Sequence, residues 1–154
     1  MYIQQACDAF RILLEEQQAR IANANGEKKD FSKMNTITIG IIDGDGIGPL
    51  IMAQAEKVLR LLLADEIVDG KIVLKKIDGL TIENRMALGT SVPENVLTEI
   101  KSCDVLLKGP TTTPMGGNME SANVTLRREL DLYANVRPVA IPEEGIDWIF
   151  FREN

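Results

Sequence analysis

The chain has 154 residues, 45% hydrophobic and 26% charged, with 17 basic against 23 acidic side chains and a formal net charge of -6. That length suits one domain, or one domain and part of another, and no apolar run approaches the length of a membrane span, so a soluble globular protein is expected. The negative balance disfavours non-specific binding to nucleic acid or acidic membrane.

Other composition features narrow the chemistry. There is no His, so the usual general base and the commonest metal ligand are absent. Acid-base or metal chemistry must then use carboxylate, Lys, Tyr or Cys. Cys7 and Cys103 are too far apart to resemble a metal knuckle or a redox pair, and two free thiols point to a reducing compartment, hence a cytoplasmic protein. The first residues mix Gln, Asp, Arg and Glu, unlike a secretory signal.

Residues 3 to 21 carry Ile3, Ala6, Phe10, Leu13, Leu14, Gln17 and Ile21 at spacings of three and four. This predicts an amphipathic helix with a broken apolar stripe, packed on its own domain, a twin subunit or a foreign partner. Asn23 to Lys33 reads as a helix stop and linker. From Thr36 a β-rich run leads into the glycine turn 43–49 and then a helix from about Leu50 to Ala64. Strand, turn and helix in that order open an α/β unit.

Residues 71 to 77 predict a second strand. Ser91, Pro93 and Glu94 predict a helix through Lys101, with Ser91 as cap, Glu94 reaching back and Pro93 in the first turn. A third strand follows over Asp104 to Leu107, then a helix from about Ser121 to Leu130 and two β-rich pieces, Leu132 to Ala140 and Asp147 to Phe151. Strands alternating with helices imply a largely parallel sheet, with ligand sites beyond the C-terminal strand ends. Three segments result: residues 1–33, an amphipathic helix and linker; 34–131, the first part of a larger α/β domain; and 132–154, the start of a strand segment.

Three groups could carry chemistry. The turn with Gly44, Gly46 and Gly48 matches neither a dinucleotide fingerprint nor a phosphate-binding loop; it lets backbone approach either backbone or ligand. Asp43 and Asp45 beside it are candidate helix caps. Lys108 to Thr113, with Gly116 and Gly117 behind, offers a lysine, three hydroxyls and freed amides directly after a strand, which favours a ligand over a plain Thr-rich loop. Ser121, Asn123 and Arg127 lie around the first turns of a helix, where free amides attract anions, and Asn123 and Arg127 share a face. With Arg137 and Arg152 they would make a positive pocket suited to several carboxylates. The competing reading pairs Arg127 and Arg128 with Glu129 and Asp131 on a solvated helix and leaves Arg137 and Arg152 isolated.

Asp43-Gly-Asp-Gly-Ile-Gly-Pro49, Leu107-Lys-Gly-Pro110, Thr113-Pro-Met-Gly116, Ser121-Ala-Asn-Val-Thr-Leu-Arg127, Asn135-Val-Arg-Pro138 and Phe151-Arg-Glu-Asn154 stand in a specific order and spacing. Over residues 36 to 154 the chain resembles the β-decarboxylating isocitrate and isopropylmalate dehydrogenases, isocitrate dehydrogenase most of all. The resemblance implies a partial α/β fold of that family plus an extra N-terminal helix. It implies that Ser121 and Asn123 hydrogen-bond a carboxylate of isocitrate, that Arg127, Arg137 and Arg152 clamp carboxylates, and that Lys108, Thr111, Thr112 and Thr113 border the substrate and the nicotinamide of NAD or NADP. Polar Ser121 and Asn123 stand where isopropylmalate enzymes usually have apolar residues.

The family reaction is hydride transfer followed by loss of carbon dioxide, with Mg2+ or Mn2+ stabilising an enolate. Three departures stand out: Asp43 replaces a usual Pro, Leu50 replaces a common acidic residue, and the helix before Met34 is foreign to the pattern. The catalytic Tyr and Lys and the metal-holding aspartates belong to a part of the family beyond this chain. The 154 residues alone are therefore expected to bind cofactor and metal weakly, not to turn over, and to act as a fragment or split subunit beside a complementary C-terminal polypeptide or in a homo-oligomer. The alternatives are a polycarboxylate-binding regulatory or oligomerisation protein, and a structural domain without ligand.

Overall fold

A computed structural model describes residues 2–24, 29–116, 119–132 and 134–153. Asn25 to Lys28 of the expected linker, Gly117 and Asn154 lie outside them. The chain divides into two compact units, Met1–Met34 and Asn35–Asn154.

In the first unit, α1 spans Tyr2–Ala24, longer at both ends than the apolar spacing predicts. Asp30 caps a 3-10 turn at Phe31–Lys33, accepting from the Ser32 amide. The hydrogen bond from the Ser32 hydroxyl, then that from Lys33 and the one from the Ser32 amide, hold the Asp30 carboxyl below its ordinary pKa. Among the described residues no helix is long and apolar enough to cross a membrane.

The second unit is built on a three-stranded parallel sheet. Its strands are β1 (Ile37–Ile42), β2 (Ile72–Lys76) and β3 (Val105–Lys108), in the order β2-β1-β3. β1 is the central strand, and its last three residues, Gly40 to Ile42, are buried on both faces, as suits a doubly covered parallel strand. Its register pairs Ile41 with Lys76 on one side and Leu107 on the other. Ile41 and Ile42 are buried, and Ile42 joins Ile77, Leu80, Val96, Ile100 and Leu126 in the core.

Helices return the chain between parallel strands. α2 spans Gly48–Leu62 with Pro49 in its first turn, where the missing amide costs nothing. Leu63 leaves helical geometry, and the short α3 (Ala64–Val68) follows. Two features differ from the sequence expectation. α4, Ile82–Leu88, was not anticipated, although Thr81 accepts from the Asn84 amide at its start and Gly89, φ 64°, closes it. α5 (Glu94–Lys101) begins after Pro93, which is its cap in extended geometry, so Ser91 and Glu94 form no capping box. Pro93 disfavours helical geometry at Val92 before it, so a helix cannot begin directly after Ser91 and starts instead at Glu94.

After α6 (Ala122–Glu129) come β4 (Ala134–Ile141) and β5 (Ile146–Glu153), an antiparallel two-stranded ribbon separate from the parallel sheet.

The glycine turn works by contact between backbones. A Cβ on Gly44, at φ 77°, would collide with the Pro110 carbonyl, and one on Gly109 would collide with the Asp43 carbonyl and the Met52 side chain. The turn after β1 and the loop after β3 thus lie backbone against backbone, tied by Asp45 N–H donating to Pro110 O at 2.7 Å and Gly109 N–H to Ile42 O at 2.8 Å. Gly109→Ala is expected to lower the unfolding free energy by about 1–3 kcal/mol, the usual cost of overpacking; urea denaturation with an unchanged m-value checks it.

Candidate functional site at the end of the parallel sheet

The loop after β3 and the start of α6 meet at the C-terminal end of the sheet. Lys108, the last residue of β3, donates from Nζ to Gly109 O at 2.7 Å and to Thr111 Oγ1 at 3.3 Å. The Thr111 hydroxyl donates onward to Asn123 Oδ1 at 3.3 Å. Lys108, Thr111 and Asn123 therefore form one polar chain from strand end to helix. Burial comes first among the influences that lower the Lys108 pKa from its ordinary 10.5; the nearby Asp45 charge opposes it and the Arg85 charge adds to it. An ammonium so desolvated is short of counter-charge, which an anionic ligand would provide.

The remaining candidates fall into distinct environments. Ser121 is the cap residue of α6; its carbonyl accepts from the Val124 and Thr125 amides, while its hydroxyl makes no capping bond. Thr112 and Thr113 are exposed, whereas Arg127 is half-buried. One helical turn separates Arg127 from Asn123 on the same side of α6, and Ala122, Thr125 and Leu126 face the core instead.

Arg137 and Arg152 lie on the ribbon. Its register sets Asn135 opposite Arg152 and Arg137 opposite Phe150. Cross-strand partners share a face, as do residues two apart on one strand, so Asn135, Arg137 and Arg152 all project to the same side. Arg137 Nε donates to Asn135 Oδ1 at 3.1 Å. The expected five substrate residues thus come as two groups, one on α6 and one on the ribbon face. No hydrogen bond or ion pair joins the groups among the described residues.

Two expectations about charged neighbours need correction. Arg128 pairs with Glu120 at 3.1 Å and Glu129 at 3.6 Å, while Arg127 takes no side-chain partner among the described residues. The solvated-helix pairing therefore holds for Arg128 but does not extend to Arg127, which a half-buried position separates from its neighbour's acids. Asp43 and Asp45 are not caps of α2, which has no side-chain cap bond. Asp43 instead pairs with Lys76 at the end of β2, a local partner for the residue that stands where Pro is usual.

Asp45 has a larger task. It is 7% exposed, and its Oδ1 accepts from Ile82 N–H at 2.7 Å while Oδ2 accepts from Thr112 N–H at 2.8 Å. Arg85, fully buried, lies 3.6 Å from the same carboxylate, an ion pair beyond hydrogen-bond range. Its guanidinium donates to Ser91 O and Thr112 O, each at 2.9 Å. Arg85 is absent from the sequence expectation, as α4 is, yet Thr81 and Gly89 bracket that helix legibly.

The family's sequence profile, described as isocitrate/isopropylmalate dehydrogenase, matches residues 38–149, which include the whole polar chain, Arg127 and Arg137, with Arg152 three residues beyond. The chain belongs to the isocitrate/isopropylmalate dehydrogenase family. It is 41% identical over 130 residues to the NADP isocitrate dehydrogenase of Caldococcus noboribetus, covering 78% of this chain and 30% of that one. Identity to the Archaeoglobus fulgidus NADP enzyme is 39% over 145 residues, covering 84% and 34%. A mitochondrial NAD isocitrate dehydrogenase regulatory subunit of Arabidopsis thaliana is 34% identical over 125 residues.

Among solved structures, the apo β-decarboxylating dehydrogenase of Thermococcus kodakarensis superposes with TM-score 0.65 at 32% identity, covering 77% of this chain and 34% of that one. The chain spans about a third of the length of these family relatives. The α/β architecture with its parallel sheet is the family's, and the recognised motifs up to Asn135-Val-Arg-Pro138 lie within the matched residues.

Glu120, just before α6, accepts from Thr125 Oγ1 at 2.7 Å and from Arg128. The Thr125 bond leads, with Arg128 next, in lowering its carboxyl below the ordinary 4.5. A depressed folded-state pKa gives stability that is present above pH 4.5 and lost as pH falls through the folded value. Glu120→Gln should therefore flatten the acid limb of the Tm-against-pH curve below pH 4.5; a superimposable acid limb would contradict this.

Proposed function

We propose that this chain supplies the carboxylate-binding half of an isocitrate dehydrogenase-type site, serving NAD(P)-dependent oxidative decarboxylation of isocitrate. The observation that carries the reading is the Lys108–Thr111–Asn123 chain, with Arg127, which has no side-chain partner among the described residues, one turn along α6 from Asn123. A desolvated ammonium, a hydroxyl and a helix-borne amide stand in one hydrogen-bonded chain, to which a carboxylate would add counter-charge. Ser121 and Asn123 would hydrogen-bond one carboxylate of the acid, Arg127 would clamp it, and Arg137 with Arg152 would bring two further planar forks from the ribbon face. Lys108 and Thr111 to Thr113 would border the hydroxyl-bearing carbon and the nicotinamide.

Among the described residues there is no group of three or more acidic, Cys or His side chains able to hold a metal ion. The residues present therefore do not by themselves fit the Mg2+ or Mn2+ of the family reaction, and no step is routed through a metal here. What they do is bind and orient: uniform binding of a polycarboxylate does not by itself speed a reaction. The rest of the site would come from the portion of the family's length that these residues do not span.

Splicing residues 35–153 onto the remaining two thirds of the Archaeoglobus fulgidus enzyme tests the catalytic reading. The chimera is expected to reduce NAD or NADP with isocitrate and magnesium, and the unspliced chain is not. A folded chimera that binds isocitrate without turnover would favour the regulatory reading, which the Arabidopsis likeness supports. For binding itself, citrate or isocitrate should raise the Tm of the unspliced chain and Arg127→Ala should abolish the rise. In an NMR titration of methylated lysines, Lys108 should titrate below the others and move upward when citrate is added; a Lys108 indifferent to citrate would sink its assignment to the site.

A further inference from the structure

The threonine loop has few side-chain anchors of its own. Thr112 and Thr113 are exposed, and Thr111 is held only through Lys108 and Asn123. What fixes the loop is its backbone at a single residue. The Thr112 amide donates to Asp45 Oδ2 at 2.8 Å, and the Thr112 carbonyl accepts from Arg85 Nη1 at 2.9 Å. One residue is thus gripped at both its peptide groups by two buried side chains of opposite charge.

Arg85 reaches further than the loop. Its Nε donates to Ser91 O at 2.9 Å, and its Nη2 lies 4.0 Å from Met119 Sδ in the segment that leads into α6. Asp45 in turn holds the first amide of α4 through Ile82 N–H. The pair therefore joins the glycine turn, α4, the approach to α5, the threonine loop and the approach to α6. Lys108 feels both charges, which places the pair next to the polar chain without making it part of that chain.

We propose that Arg85, acting with Asp45, is a positioning residue for the carboxylate site: it locks the Thr112 peptide so that Thr111 presents a fixed hydroxyl between Lys108 and Asn123. The assignment rests on the carboxylate-site reading above for its purpose, while the lock itself is independent of any ligand. A guanidinium suits the task because its planar fork serves Ser91 O, Thr112 O and the Asp45 carboxylate from one rigid plane. A lysine, with a single ammonium on a flexible stem, would serve them less completely.

Hydrogen exchange by NMR and isocitrate titration by calorimetry, both on the full chain, test this. In the wild type the Thr112 amide should exchange far more slowly than its neighbours Thr111 and Thr113, as a buried charge-assisted donor does. A fast Thr112 amide would overturn the lock outright. Arg85→Lys, at a temperature where circular dichroism shows it folded, should lose protection at Thr112 selectively and bind isocitrate about ten- to a hundredfold more weakly, the scale of one charge-assisted hydrogen bond.

If Arg85→Lys fails to fold, Asp45→Asn replaces it, with the same two expected losses. A lower Tm with unchanged Thr112 protection and unchanged affinity would make Arg85 a merely structural residue and end the proposal. Should the wild type bind no isocitrate, the carboxylate-site reading fails, and selective loss of Thr112 protection alone decides whether the lock stands.

Discussion

Asp45 carries a negative charge at a position almost closed to solvent, and a carboxylate there persists only if donors surround it. Two backbone amides do so, with a buried guanidinium at ion-pair distance. None of the three groups is near Asp45 in sequence, so the arrangement requires that the turn after β1, the helix after β2 and the loop after β3 arrive together. A parallel sheet with β1 in the middle brings them to one end. The glycines then let the two strand-end loops touch backbone to backbone. Removing one partner from such a buried pair typically costs about 3–5 kcal/mol, because it strands the other charge. The candidate site is thus coupled to the fold through the same few atoms.

That coupling explains what was legible beforehand. Alternating apolar runs announce β1, β2 and β3 because β-branched residues at short, evenly spaced intervals leave few other assignments, and their helical connections force the strands parallel. Lys108 was readable as a placed residue since it follows directly on an apolar strand. Asn123 and Arg127 were readable as neighbours from their spacing on α6. Asp45 was misread as a helix cap, because a carboxylate shortly before a helix normally is one; its true partners lie 37 and 67 positions away. Ser91 looked like a cap for the same local reason, yet its carbonyl serves Arg85 and Pro93 starts the helix.

The ribbon shows a different limit. Its two strands were expected, but which side chains share a face depends on register, which single residues of sequence do not reveal. The observed register brings Asn135, Arg137 and Arg152 to one face, so two of the three candidate clamps are neighbours by construction. The same ribbon exposes Val136, Trp148, Ile149 and Phe151, and its apolar residues occupy both faces. The family's relatives are about three times as long as this chain, and no group of acidic, Cys or His side chains able to hold a metal is found among the described residues.

Backbone amide and arginine side-chain NMR of the full chain during citrate addition tests the central assignment most directly. Saturable shifts confined to Thr111 to Thr113, Asn123, the Arg127 guanidinium and the Arg137–Arg152 face are expected, with the core amides of β1 unmoved. Shifts that appear only on α1, or that never saturate, would show that the end of the parallel sheet holds no polycarboxylate.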